Sequence, residues 1–294
     1  MDEFYDYAKA KGAIQMFTEE SIKTNPLHMS GITQRGAVLV KKQGEEDMEE
    51  LVFTCNGVIA DADLPPVIRS PSAARDKVVT MAQSITVTGL GCHTFDDTIA
   101  MLQEIRLTVE REFKSGMLDK WNPTTYRGFP AFTLSNRYFR TQRDGSQHEE
   151  VTFSKDVDPV GILQRLARND LIHTEENEVQ YFKSHVDEEG KRRYQRARPQ
   201  LFRMGDIVEI QCSIIIVKGK GIKHRMKLVL RVIALLDCEI ALDAKRKMSK
   251  SVTMEEPRMK RLKRKIGYGE EEVEEDEGSS SKQARESQIM DESR

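Results

Sequence analysis

Cations interleaved with aromatic rings dominate residues 181–227. Between Lys191 and Lys227, eleven Lys or Arg side chains face two acids, Asp206 and Glu209, a local balance of +9. Tyr181, Phe182, Tyr194 and Phe202 lie in or beside this stretch. Ammonium and guanidinium groups neutralise phosphates, and aromatic faces accept stacked bases at about 1–3 kcal/mol each, which is the chemistry a single-stranded nucleic acid requires. The residues expected to bind are Arg192, Arg193, Arg196, Lys220, Lys223, Arg225 and Lys227, with Tyr181 and Tyr194 as stacking platforms. Phosphate contacts would make such binding fall steeply with salt. The plainer reading of the same residues is a solvated sheet face with its aromatics in the core. Trp121–Arg143 repeats the mixture, with Arg127, Arg137, Arg140 and Arg143 among six aromatic residues. It either extends the same surface or supplies core aromatics beside surface arginines.

Enzymatic chemistry is less well supplied. His185, Asp187 and His224, followed by Arg231, stand in the order of the iron ligands and acid-binding arginine of Fe(II)/2-oxoglutarate oxygenases. Two imidazoles and one carboxylate on one face can hold Fe(II) with open positions. However, Asp187-Glu-Glu-Gly reads as a solvent-facing turn, and on a regular strand His224 and Arg231 point oppositely. Cys92-His93 precedes a helix start, where a thiolate would be stabilised, but no partner base accompanies it. GxxxxGK[ST], GxGxxG, HExxH and GxSxG are all absent from the sequence. No catalytic residue, metal site or cofactor is expected.

The elements that must position these groups follow from periodicity and turn residues. Ala37–Lys41 and Glu50–Ala60 read as paired strands joined by an acidic loop, and Asp63-Leu-Pro-Pro begins a breaker cluster over 61–72. Ser84–Thr88 alternates as a strand does. Ile99, Leu102, Ile105, Val109 and Phe113 then recur at helical spacing from Thr94 to Gly116. Asp158 and Pro159 cap a second helix running to Arg168. Val179–Val186 and Arg192–Ala197 flank a hairpin turn, and two longer β-rich arms, 202–217 and 222–236, flank Lys218-Gly-Lys-Gly. On the second arm Met226, Leu228, Leu230, Val232, Ala234 and Leu236 share one face, opposite Lys223, Arg225, Lys227 and Arg231. The first arm begins two-faced and becomes apolar throughout at Ile214–Val217, as a bent barrel strand does. The expected fold is α+β, with a curved antiparallel sheet or small OB-like barrel in the C-terminal half and two or three packing helices. The expected divisions are a poorly defined segment 1–29, a globular region 30–242 with its β-rich half at 170–242, and a disordered tail 243–294.

Composition sets the remaining limits. The 294 residues carry 46 Lys+Arg and 48 Asp+Glu, so a net charge of −2 conceals strong segregation. Lys245–Lys265 holds ten basic and two acidic residues, whereas Glu270–Glu277 holds seven acidic residues and one Val. Lys245, Arg246 and Lys247, then Lys260, Arg261, Lys263, Arg264 and Lys265, resemble a bipartite nuclear-localisation signal. This predicts a nuclear import receptor as partner, and Glu270–Glu277 could contact basic proteins. No run approaches the roughly 18 apolar residues of a membrane span, and no membrane partner is expected. The charged N-terminus argues against a secretory signal, and four dispersed cysteines argue for a reducing compartment.

The stretch HTEENEVQYF…RPQLFRMGDIVEIQCSIIIV…HRMKLVLRVIALLD, residues 173–237, resembles a segment of uncharacterised proteins of mushroom-forming fungi, often encoded near mobile elements. The resemblance implies a nuclear setting tied to DNA and transfers no activity or functional residue. Non-enzymatic nuclear nucleic-acid binding is therefore the expected function. The alternatives are a protein-interaction scaffold using the apolar strand Ile214–Val217 or the acidic tail, and an oxygenase.

Overall fold

The computed structural model describes residues 1, 3–24, 32–35, 38–42, 48–69, 75–142, 149–167, 170–219 and 221–255. Those up to Thr253 belong to one compact unit, Met1–Thr253. The fold is α+β, with a large and mostly antiparallel sheet.

Five strands make its centre: β4 (Val52–Asp63), β5 (Ala82–Thr88), β7 (Phe129–Arg137), β12 (Ile207–Lys218) and β13 (His224–Asp237). β13 pairs with β12, β12 with β4, β4 with β5 and β5 with β7, all antiparallel. Four successive reversals leave β7 and β13 pointing the same way. These two strands lie side by side, and Asn136 Nδ2 donates to the Leu230 carbonyl (3.2 Å) across the seam. The resulting ring is an OB-like Greek-key barrel. Phe53, Cys55, Ile85, Phe132, Leu134, Ile210, Ile214 and Leu228 fill its core. Three of its strands come from residues 52–137, so the barrel is not confined to the C-terminal half. β4 also pairs differently than its sequence suggests. It joins β12 and β5, while the acidic loop connects β2 (Val38–Lys42) to the short β3 (Met48–Glu50). β1 (Ile32–Arg35) pairs with β2.

The β12–β13 ladder shifts register twice, skipping Arg231 and, near the end of β13, Leu236. Cys212 faces Leu230 and Gln211 faces Val232, so Arg231 bulges without a cross-strand partner. A bulge shifts alternation by one residue. Beyond it Ile233 and Leu235 take the inward positions, opposite Ile210 and Val208, that unbroken alternation assigns to Val232, Ala234 and Leu236. At the far end of β13, β10 (Gln180–Val186) adds in parallel and β11 (Arg192–Arg196) completes the expected hairpin at the sheet edge. β6 (Thr124–Tyr126) forms the other edge.

Three long helices pack on the barrel. α1 (Tyr7–Thr24) occupies a segment that carried no expected element, yet Ala10, Ile14 and Phe17 lie at helical spacing and are buried in the core. α3 (His93–Glu110) is the expected amphipathic helix, burying Phe95, Ile99, Leu102, Ile105 and Val109. Its first turn sits so close to Gly89 that a Cβ there would collide with Phe95. α5 (Glu239–Glu255) crosses the expected domain boundary at 242. Asp237 Oδ1 accepts the Glu239 amide (2.7 Å), and Ile240 and Ala244 dock in the core, which is enough apolar contact to order a segment whose composition reads as tail. α2 (Arg75–Thr80) and α4 (Ile162–Leu166) are short; α4 starts three residues later than expected, with Gly161 and not Asp158 at its N-cap, although Asp158 still reaches its first turn, accepting the Ile162 and Gln164 amides at 2.6 and 2.9 Å. Between β7 and β12 the chain builds a second, smaller core around Val78, Tyr138, Phe139, Leu163 and Leu171, where β8 (Arg140–Thr141) pairs with β9 (Leu171–Ile172). Among the described residues no helix is long and apolar enough to cross a membrane.

Candidate functional site

A cleft of about 390 Å³ runs along the outside of the β7–β13 seam. Alternation on β13 places Arg225, Lys227 and Val229 outward, and Arg231 joins them through its bulge. β7 contributes Ser135 and Arg137, the following segment Arg140, and β12 Ile215, Val217 and Lys218. Ile215, Val217 and Val38 make an apolar floor beneath the cationic walls. Glu176 is the one carboxylate among the described lining residues. It is engaged by Arg231 at 2.6 Å and Arg140 at 3.6 Å. Arg231 also binds Glu50 at 2.7 Å and donates to Ser213 Oγ at 3.0 Å, so it fastens the 174–178 segment and β3 to the barrel.

Arg137, Lys218, Arg225 and Lys227 differ in having no carboxylate within ion-pair distance among the described residues. Half-buried Lys227 has its pKa lowered, chiefly by burial and further by the charges of Arg137 and Arg225. Like charges held together without counterions raise the energy of the folded state. A row of hydroxyls, Ser84, Thr86, Thr133 and Ser135, occupies the outward positions of β5 and β7 beside the cleft, with Thr86 and Thr133 hydrogen-bonded at 2.8 Å. Hydroxyls and cations together can accommodate a chain of phosphates, and neither reads base identity.

The nine expected nucleic-acid residues do not share one groove. Arg225 and Lys227 line the cleft. Lys223 lies just before β13 and pairs with Asp119 at 3.6 Å, and Lys220 lies outside the described residues. Arg196 pairs with Phe182, which faces Ala234, seven residues along β13 from Lys227, or roughly 20 Å at strand rise. Arg192 is held by Glu20 at 3.0 Å and stacks over Phe17, facing α1 rather than solvent. Arg193 is paired with Asp187 at 2.8 Å. Tyr181 is 5% exposed and its hydroxyl donates to Gln83, so it is a core residue and not an open stacking platform on the sheet surface. Tyr194 keeps an exposed edge, but its hydroxyl donates to Glu209 at 2.9 Å on the α1 side. Burial and the Glu209 carboxylate push its pKa up. Carboxylates thus occupy the β11 side of the sheet, and Arg137 of β7 and Arg140 of β8, not the β11 arginines, lie beside Arg225 and Lys227. The arginines of Trp121–Arg143 were the available signal for this, since Arg137 and Arg140 fall there.

The other expectations divide similarly. His185 lies near the C-terminal end of β13, whereas His224 begins that strand and packs on Phe113 at 5.0 Å. They do not converge, so the expected His185, Asp187 and His224 ligand set does not form, and among the described residues no three His, Cys, Asp or Glu side chains could hold a metal. Ile214 and Ile216 are core residues, and Ile214–Val217 pairs with β13 on one side and, at Ile215, with Val38 of β2 on the other, so it offers no free apolar edge. Cys55, Cys92 and Cys212 are buried and Cys238 is partly so, all as free thiols. Burial pushes the Cys55 thiol up to about 12. Lys245, Arg246 and Lys247 are exposed on α5, with Arg246 paired to Asp243 at 2.7 Å. Lys260–Lys265 and Glu270–Glu277 lie outside the described residues.

No family model matches the chain, and no curated protein does. Among solved structures it is similar to gp2.5, a single-stranded DNA-binding protein encoded by bacteriophage T7. The match has 14% identity over 63% of this chain and 91% of that one, with a TM-score of 0.31. It is also similar to the C-terminally truncated single-stranded DNA-binding protein of bacteriophage Enc34, at 9% identity over 70% of this chain and 97% of that one, with a TM-score of 0.30.

Proposed function

We propose that the chain binds single-stranded nucleic acid, gripping its phosphates in the cleft along the β7–β13 seam. The observation that carries this reading is the set of four cations, Arg137, Lys218, Arg225 and Lys227, gathered on one concave surface without carboxylate partners among the described residues. A polyanion supplies the missing counter-charge and releases its own condensed cations, which makes association favourable at low salt. The apolar floor of Ile215 and Val217 accommodates sugar or a base edge. The aromatic residue lining this cleft, Phe139, is fully buried, so backbone contact outweighs stacking there. Anisotropy of a fluorescent oligonucleotide at 50 and 200 mM salt tests the reading. Steep weakening with salt is expected, and an absent or salt-insensitive signal rejects it.

The basic residues on α5 and Lys260–Lys265 support a nuclear address read by an import receptor, with Glu270–Glu277 suited to basic proteins. A fluorescent fusion carrying Lys260–Lys265 changed to alanine should lose nuclear accumulation; unchanged accumulation rejects the address.

A further inference from the structure

A second pocket, of about 250 Å³, opens between the barrel wall at β5 and β10 and the smaller core. Tyr138, Phe153, His173 and Tyr181 give it aromatic walls. His173 is 5% exposed, and its ring stacks on Phe153 with centroids 4.0 Å apart. Its Nδ1 sits 2.8 Å from the Tyr138 carbonyl oxygen. A carbonyl can only accept, so the geometry assigns the proton to Nδ1 and leaves a lone pair on Nε2. Burial lowers the His173 pKa, which keeps the ring neutral and Nε2 an acceptor.

Among the described residues nothing donates to Nε2. The neighbouring polar groups are already committed: Tyr181 donates to Gln83 Oε1 at 2.6 Å, and Gln83 Nε2 donates to the Asn177 carbonyl at 3.3 Å. The pocket therefore keeps one open acceptor between aromatic walls. Its volume falls below the roughly 300–1,000 Å³ of drug-sized sites, so it takes a single ring system. Arg196 lines the same pocket, its guanidinium 5.2 Å over Phe182 and without a carboxylate partner among the described residues. Asp156 and Glu178 also line it, and Asp156 is paired with Arg198 at 3.6 Å.

We propose that this pocket seats one nucleobase, whose ring or exocyclic N–H donates to His173 Nε2 while its attached phosphate lies toward the open rim. The proposal rests on the nucleic-acid reading for its class of ligand, but not on the β7–β13 cleft for its binding energy.

Calorimetric titration of the full chain with each of the four deoxynucleoside monophosphates tests it, beside anisotropy with a labelled oligothymidylate. At least one monophosphate should bind the wild type. His173→Leu removes the acceptor and Ala197→Trp fills the half-buried rim without touching His173. Each should weaken monophosphate binding by about tenfold or more, whereas His173→Gln, which keeps an acceptor oxygen, should retain most of it. Thermal unfolding shows which variants are folded, and Ala197→Trp carries the test if His173→Leu is not. No monophosphate binding at millimolar concentration, or equal affinity in wild type and Ala197→Trp, overturns the pocket even where the oligonucleotide still binds with steep salt dependence. Monophosphate binding that Ala197→Trp abolishes, in a chain whose oligonucleotide binding is salt-insensitive, upholds the pocket and rejects the cleft.

Discussion

Replacing Arg137 and Lys227 together by alanine should halve the salt dependence of oligonucleotide binding without unfolding the protein. For single strands the logarithm of affinity falls with the logarithm of salt by about 0.7 per neutralised phosphate. Four cations without carboxylate partners among the described residues, Arg137, Lys218, Arg225 and Lys227, line the cleft, and if each meets one phosphate the wild-type slope is about −3. Raising salt from 50 to 200 mM should then weaken binding by roughly 50-fold, and the double variant, with a slope near −1.4, should weaken by only about sevenfold. Anisotropy of a labelled oligothymidylate across that range reads both slopes. Stability supplies an internal control. Lys227 has its pKa lowered by burial and by Arg137 and Arg225, so removing two crowded charges should leave the melting temperature unchanged or higher. A double variant that keeps the wild-type slope refutes the assignment of phosphates to this cleft.

Arg231 should behave oppositely to its neighbours. It joins Glu50, Glu176 and Ser213, so Arg231→Leu removes the guanidinium from Glu50 and leaves Glu176 its longer contact with Arg140 at 3.6 Å; it should cost about 1–2 kcal/mol in urea unfolding, after allowance for solvation, and a loss under about 0.5 kcal/mol would contradict its structural role. Asp206 is 2% exposed, and burial, reinforced by Asp237 and opposed by the Arg203 amide and charge, raises its pKa from 3.8 to about 6. A raised native pKa means that the folded state holds the proton more tightly; its stabilising effect is full below pH 4 and is lost as pH rises through 6. Asp206→Asn should therefore match the wild type near pH 4 and gain on it by about 3 kcal/mol by pH 8, and a pH-independent difference would refute this. Gly89→Ala forces a methyl group against Phe95 and should destabilise by about 1–3 kcal/mol, read as a lower melting temperature; an unchanged value means that α3 shifts freely.

Local rules made several elements legible from the residues alone. α3 announces itself through Ile99, Leu102, Ile105 and Val109, because a helix repeats its buried face every three or four residues. The β10–β11 and β12–β13 hairpins follow from β-rich arms around Gly-containing turns, since turn and pairing lie close in sequence. The basic and acidic blocks of residues 245–277 are likewise plain in composition. Tertiary contacts decided the rest. Ordering α1 and α5 depends on core surface for Ile14, Phe17, Ile240 and Ala244 that the helices do not themselves carry. Closure of β7 against β13 joins residues almost a hundred positions apart, as Asn136 and Leu230 show. That closure brings Arg137 to Lys227, while the bulge at Arg231 resets the side chains from Val232 to Leu235 and the pairing of β11 sends Arg192 to Glu20. Charge content is a property of the residues and survives in any conformation. Whether two charges share a surface depends on strand register and distant pairing, where a one-residue shift moves a side chain to the opposite face.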